Sequence, residues 1–259
     1  MSSSDTPEYQ QRKAFFDQML TVYGRKPVLE ALQDAGLPAF KLHLADSNRS
    51  EGIIQQIKSL ADARNIPIAF HDRRALSRIS RNGKQDQGVA LDLQLPAYRP
   101  YQDLLPLHAN TRLIALDRVT NPQNLGMIIR SVSASGITGL LLPQNGCASL
   151  SALVIKASAG TLFKAPIYFC DQLDSCLRDL RDAGSEIYGL SSHATQSVFE
   201  AGKAGPALYL LGNETEGLSD SLGRLCSSQL CIPMHNGVES LNVAVTAGII
   251  AFTAQSRSS

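Results

Sequence analysis

The sequence predicts an α/β protein: a mostly parallel sheet with helices on both faces, preceded by a smaller α/β unit. Three observations carry this. Beyond residue 110, short apolar runs alternate strictly with helical patterns, the order that builds a parallel sheet. Those runs are apolar throughout, as strands covered on both faces are. Between the two units Pro96, Pro100 and Pro106 cluster with Tyr98 and Tyr101, the composition of a semi-rigid linker.

The 259 residues divide accordingly into a tail (1–17), a front domain (18–95), a linker (96–110) and a larger domain (111–259). The tail holds Ser2, Ser3, Ser4, Asp5 and Pro7 and is expected to be flexible. In the front domain helical patterns run from Val28 to Asp34 and from Gly52 to Ala63, and extended ones from Lys41 to Leu44, Ile66 to Phe70 and Gly88 to Leu95. In the larger domain strands are expected from Leu113 to Leu116, Gly139 to Leu142, Ile187 to Leu190, Ala207 to Leu211 and Leu230 to Ile232. Helices are expected from Leu125 to Ala134, Ala152 to Leu162, Leu173 to Ala183, Ser219 to Cys226 and Leu241 to Gln255. Sheets of this kind place ligands at the carboxyl ends of their strands.

Composition removes several function classes. With 24 Lys and Arg against 23 Asp and Glu, the net charge of +1 fits neither an acidic tail nor a uniformly basic nucleic-acid coat. At 44% hydrophobic residues there is ample material for one large or two ordinary cores. The apolar stretch Leu241 to Ala254 is too short to span a membrane, and the polar N-terminus has no signal-peptide core, so a cytoplasmic protein is expected. Five cysteines without a C-x-x-C pair, and five histidines never at H-x-x-H or H-x-x-x-H spacing, argue against a disulfide framework or a metal site. No G-x-G-x-x-G and no G-x-x-x-x-G-K-[ST] occurs, which disfavours a dinucleotide oxidoreductase or a phosphate-loop NTPase.

Glycines and polar residues gather instead in three clusters at strand ends. In Asn121 to Ser131, Asn121-Pro122 makes a turn, Asn124 can cap the next helix, and Gly126 allows close backbone approach. Arg130, four residues on, is expected on the face of Gly126 and aimed at the crevice; an arginine there also suits a surface ion pair. In Leu210 to Leu218, Gly212 leaves room for a ligand against the main chain and Glu214 projects into the crevice, unless the segment is a plain acidic turn. In Ile232 to Ala244 a strand stops at Pro233 and a helix follows whose residues carry no charge from Ser240 to Ser256. Such a helix must be covered all round, and a subunit interface is one way to cover it. Ser240 and Asn242 at its head are caps or parts of a site that the interface completes.

In order and position these clusters resemble the three motifs of the SpoU/TrmH family of RNA ribose 2′-O-methyltransferases, of the knotted SPOUT class. The matching residues are Asn124, Gly126 and Arg130; Gly212, Asn213, Glu214 and Gly217; and Ile232, Pro233, Met234, Ser240, Leu241, Asn242 and Val243. Lys156 to Phe163 is similar to the family's middle helix. Asn121 stands where many relatives carry Asp. In the front domain, Val22 to Leu32 and Gln87 to Ala90 resemble the ends of the family's RNA-substrate-binding domain, similar to a ribosomal-protein fold that grips kinked RNA.

The resemblance implies a deep C-terminal trefoil knot, S-adenosylmethionine as cofactor, a homodimer, and rRNA or tRNA as substrate. It implies a cofactor slot at Leu211, Gly212, Asn213, Gly217, Ile232, Met234 and Leu241, and a catalytic set of Arg130, Glu214, Ser240, Asn242 and Asn124. Because a guanidinium has no lone pair to offer, Arg130 would orient the hydroxyl and stabilise its developing charge, or grip a phosphate, leaving Glu214 as the alternative proton acceptor. Ser240 and Asn242 would hold the arrangement across the dimer, and Asn124 would serve the interface more than the chemistry. A separate front domain favours ribosomal RNA. The most basic window, with Arg73, Arg74, Arg78, Arg81 and Lys84 against Asp72 alone, is either a solvated face or, in an RNA-handling domain, a phosphate contact. The competing reading is a non-catalytic RNA-binding assembly factor on the same fold.

Overall fold

The computed structural model describes residues 19–95, 99–200 and 205–256, which form two compact units divided between Ala97 and Tyr98. The expected tail and residues 96–98 of the expected linker lie outside the described residues.

The first unit runs β1 (Met19–Tyr23), α1 (Arg25–Gln33), β2 (Ala39–Ala45), α2 (Ile53–Ala63), β3 (Ile68–His71), α3 (Arg73–Ser80) and β4 (Val89–Gln94). Its sheet has the order β1-β4-β2-β3, antiparallel except between β2 and β3. Leu42 and Leu44 of β2 and Leu91 and Leu93 of β4 share one wholly buried face, and Val28, Leu32, Ile54 and Ile57 of α1 and α2 are buried with them. The opposite face carries Thr21, Lys41, His43 and Asp92, and α3 packs against all four strands. Despite its charge α3 forms because Asp72 caps it, accepting the Ala75 N–H at 2.8 Å, and because Leu76 is wholly buried.

The second unit begins with β5 (Arg99–Pro100) and a 3-10 turn, Tyr101–Leu104. It continues through β6 (Arg112–Leu116), α4 (Pro122–Ser135), β7 (Gly139–Pro143), α5 (Ala152–Ala157), β8 (Ile167–Cys170), α6 (Leu173–Asp182), β9 (Glu186–Leu190) and β10 (Gln196–Ser197). It ends with β11 (Ala207–Leu211), α7 (Asp220–Gly223), β12 (Ser228–Cys231) and α8 (Val243–Ser256). The eight strands lie in the order β10-β12-β9-β11-β6-β7-β8-β5, and every pairing is parallel. Leu113, Ile114, Leu116, Leu140, Leu141, Leu208 and Leu210 are wholly buried, as double-sided cover requires.

Several expectations are corrected. The stretch from Arg99 to Leu104 is part of the second unit: Arg99 and Pro100 pair with β8, and Tyr101 is buried and donates its hydroxyl to Asp179. That carboxylate, helped by burial, pushes the phenol up to about 12. The helix expected to reach Leu162 stops at Ala157, where Ala159 (φ 49°) and Gly160 (φ 76°) turn left-handed before a short 3-10 turn at Thr161–Phe163. The helix expected from Ser219 to Cys226 is the four-residue α7, and the last helix starts at Val243 rather than Leu241. Among the described residues no helix is long and apolar enough to cross a membrane, and no group of His, Cys, Asp and Glu could hold a metal ion.

Candidate active site

The carboxyl ends of β6 and β11 are neighbours in the sheet, and the chain ties them together at once. The Asp117 N–H donates to the Leu211 carbonyl at 2.8 Å, and the buried Asp117 carboxylate accepts the Ser219 N–H at 2.9 Å. Arg118, in the left-handed region at φ 57°, donates to Asp117 (3.3 Å), to the Gly217 carbonyl (3.1 Å) and to the Glu216 carboxylate. Asn213 returns the contact through its amide to the Arg118 carbonyl at 3.0 Å, and exchanges main-chain bonds with Gly217 at 3.1 and 2.9 Å. The loop 212–217 is thereby closed on itself and clamped. Asp117, Arg118 and Ser219 were not among the expected site residues; the one signal for them is an apolar strand that ends directly on a charged pair.

Asn124 joins the three clusters. Asn121, with Pro122 as the first helical residue, caps α4 by accepting the Gln123 N–H at 2.8 Å, so Asn124 is freed from capping and lies at the helix's third position. It is buried, donates its amide to the Glu214 carboxylate, and accepts from the Asn242 amide at 3.1 Å. Asn242 in turn caps α8 by accepting the Ala244 N–H at 2.8 Å. One buried amide therefore orients a carboxylate from the second cluster and a cap from the third.

Both motif glycines have other neighbours than expected. A Cβ on Gly212 would stand 2.3 Å from the Gly217 carbonyl group and 2.4 Å from the Leu218 nitrogen, so this glycine makes room for its own loop and not for a ligand. A Cβ on Gly126 would stand 2.4 Å from the Ala157 Cβ and 2.8 Å from the Val154 carbonyl, so it lets α5 approach α4. Arg130 does not share that face. The exposed stripe of α4 is Gln123, Met127, Arg130 and Ala134, at helical spacing, and Arg130 forms no hydrogen bond or ion pair among the described residues. Ser240 is likewise exposed and without a hydrogen bond among them.

Ile232, Met234 and Leu241 are apolar yet only half-buried, whereas Leu211 is buried. Among the described residues their main-chain N–H and C=O groups have no hydrogen-bond partner. Apolar side chains beside open main-chain donors and acceptors suit a nucleoside, which offers a flat ring and a polar edge, so these residues fit the expected cofactor. In the first unit Arg73, Arg74 and Arg78 lie on α3, Arg81 ends it at φ 54°, and Lys84 lies in the following turn. All five are exposed, and none is in an ion pair among the described residues.

Comparison with known proteins agrees with this layout. Residues 111–252 match the SpoU rRNA methylase family, and residues 21–99 match the RNA 2′-O ribose methyltransferase substrate-binding family. A tRNA/rRNA methyltransferase of Mycolicibacterium vanbaalenii, itself uncharacterised, is 36% identical over 88% of this chain and 74% of its own length. The chain belongs to the SpoU family of RNA 2′-O-ribose methyltransferases. Among solved structures, the AdoMet-bound rRNA methyltransferase from Sinorhizobium meliloti superposes on this SpoU protein with a TM-score of 0.65 at 26% identity, covering 99% of this chain and 97% of that one. The SpoU methyltransferase AviRb from Streptomyces viridochromogenes, solved with AdoMet, shares the fold at a TM-score of 0.67 and 24% identity, over 97% of this chain and 93% of the other. In this SpoU chain the substrate-binding family corresponds to the first unit and the methylase family to the second.

Proposed function

We propose that the second unit transfers a methyl group from S-adenosylmethionine to a ribose 2′-hydroxyl of ribosomal RNA, with the first unit gripping that RNA. The observation that carries this reading is the chain Asn242, Asn124, Glu214, which unites the three motif clusters around one carboxylate. Support for ribosomal RNA comes from the separate substrate-binding domain and from the S. meliloti rRNA methyltransferase, which matches over both domains.

The cofactor, when bound, supplies a sulfonium methyl for in-line displacement. The slot is Leu211, Gly212, Asn213, Gly217, Ile232, Met234 and Leu241, with Gly212, Asn213 and Gly217 shaping its loop and the apolar members covering the ring. Glu214 accepts the proton that the 2′-hydroxyl gives up, held in place by the Asn124 amide. Arg130 stabilises the developing oxyanion, a task its fixed positive charge suits. Support for a homodimer comes from the surface around Arg130: Met127 is 42%, Val245 50% and Phe252 54% exposed, on two helices that pack on each other. A second copy would cover this apolar strip and set Arg130 and Ser240 at its seam. The C-terminal trefoil knot implied by the family completes the reading.

Incubation with methyl-labelled S-adenosylmethionine and deproteinised ribosomal RNA tests the activity. Label recovered in 2′-O-methylnucleosides is expected; label in bases alone, or none with an intact cofactor site, would remove the reading.

A further inference from the structure

Arg118, the second residue after β6, lies outside the three motif clusters yet touches the loop that carries Glu214 through both its side chain and its main chain. Its φ of 57° is a left-handed conformation that glycine adopts freely and a residue with a Cβ rarely does. Such a conformation persists where surrounding contacts hold it, and residues of this kind gather at functional sites. All three guanidinium nitrogens are engaged. Nε donates to the Asp117 carboxylate at 3.3 Å, one terminal nitrogen to the Glu216 carboxylate, and the other to the Gly217 carbonyl at 3.1 Å.

The two ends of this bridge differ. Asp117 is buried at the end of β6, tied to β11 through the Leu211 carbonyl and to the Ser219 N–H. Glu216 is 67% exposed. Arg118 thus carries the position of the buried sheet end out to an exposed loop. Its carbonyl accepts the Asn213 amide, whose oxygen in turn accepts the Thr215 N–H at 2.8 Å. The Asn213 carbonyl accepts the Gly217 N–H at 2.9 Å. Glu214 stands between Asn213 and Thr215, so the peptide units on both sides of it are fixed by residues bound, directly or through Gly217, to Arg118. Glu214 itself is exposed, and Asn124 is its one hydrogen-bond partner among the described residues. Its aim therefore depends on the loop backbone as well as on Asn124.

We infer that Arg118 is a positioning residue for methyl transfer. It holds the loop 212–217 so that the Glu214 carboxylate meets the 2′-hydroxyl, and so that Gly212, Asn213 and Gly217 keep the shape of the cofactor slot. The inference rests on the reading of Glu214 as the proton acceptor.

Single-turnover methyl transfer from saturating S-adenosylmethionine to deproteinised ribosomal RNA, followed across pH with the full chain, tests it. Arg118→Gly is the main variant, because glycine takes this φ without strain. Its melting temperature should stay within about 4 °C of wild type. The rate constant at the pH plateau should nevertheless fall by about tenfold to a hundredfold, as it does when a reacting group is displaced by an ångström. The acid limb should persist, because Glu214 remains the acceptor. Cofactor affinity by calorimetry should weaken about threefold to tenfold. Arg118→Lys, which keeps the charge without the fork, should fall between the two proteins. Glu216→Gln should lower the rate less than Arg118→Gly does, since Asp117 and Gly217 still hold the guanidinium, and should add nothing in the Arg118→Gly background. A wild-type rate constant in Arg118→Gly, a smaller amplitude at an unchanged rate constant, loss of the acid limb, or a full further loss on adding Glu216→Gln would overturn the inference alone. A wild type that transfers methyl without an acid limb, or not at all, would instead remove the reading of Glu214 on which the inference stands.

Discussion

Asn124 donates its buried side-chain amide to the carboxylate of Glu214, a residue ninety positions away in sequence. The same side chain accepts from Asn242 on the far side, so it ties together the heads of α4 and α8 and the loop after β11. Replacing Asn124 by Asp keeps the acceptor for Asn242 but sets a second carboxylate against Glu214. Loss of one buried partner costs about 1–3 kcal/mol, so the single-turnover methyl-transfer rate should fall by about tenfold to a hundredfold. Cofactor binding by calorimetry should change little. An Asn124→Asp protein with wild-type turnover would remove Glu214 from the chemistry.

Gly212 makes a different kind of prediction. Its missing Cβ is required by the Gly217 and Leu218 backbone 2.3–2.4 Å away, so Gly212→Ala must push the loop off its clamp at Arg118 and Asp117. Overpacking of this kind costs about 1–3 kcal/mol. Thermal denaturation should show a lowered melting temperature together with weaker S-adenosylmethionine binding. Weaker binding with unchanged melting would mean that the glycine clears space for the ligand after all.

For Arg130, exposure and the lack of a hydrogen-bond or ion-pair partner among the described residues predict that folding and cofactor affinity survive its loss. Arg130→Ala should lower kcat on the order of 10² to 10³, as removal of one preorganised donor does. Arg130→Lys should recover little, because a point ammonium does not reproduce the planar fork. Single-turnover kinetics at saturating RNA separates this from weak binding. Wild-type turnover in Arg130→Ala would make it an ordinary surface residue.

The apolar strip beside Arg130 predicts the oligomeric state. Light scattering should give about twice 27.9 kDa for wild type, and the pair Val245→Asp with Phe252→Asp should give a monomer without methyl-transfer activity. A monomeric wild type at micromolar concentration would leave that strip without an occupant.

Charge reversal at Arg73, Arg74 and Arg78 should weaken RNA binding and flatten its salt dependence, since each phosphate contact contributes to the slope of affinity against salt. All three are exposed and outside the core, so the melting temperature should hold. Unchanged affinity in a filter-binding titration would move the RNA surface elsewhere.

How far the sequence carried the fold can be seen element by element. The runs at 113–116, 139–142, 187–190 and 207–211 were legible because strands covered on both faces are apolar without interruption. β8 was not, since Tyr168 and Phe169 are only half-buried and its four residues follow Pro166 without a clear period. β1 was also missed: Thr21 breaks its apolar pattern because that side chain serves Asp92. The three clusters could be read as one site from order alone, but the roles within them depend on neighbours the sequence does not order in space. That Gly126 faces α5, that Asn121 and not Asn124 is the cap, and that Arg130 shares the exposed stripe of Met127 depend on a helix that starts three residues earlier than its first apolar residue suggests.

The central claim is that Asn124, Glu214 and Asn242 form one ribose-methylating site. Its most direct measurement is single-turnover transfer of a labelled methyl group from S-adenosylmethionine to deproteinised ribosomal RNA, digested to nucleosides, for wild type and Glu214→Gln across pH. Wild type should place the label on 2′-O-methylnucleosides, with a rate that falls on the acid side as the proton acceptor is protonated, and Glu214→Gln should lose both the rate and that acid limb. Label on a base, or a Glu214→Gln protein that keeps the wild-type rate and acid limb, would contradict the account.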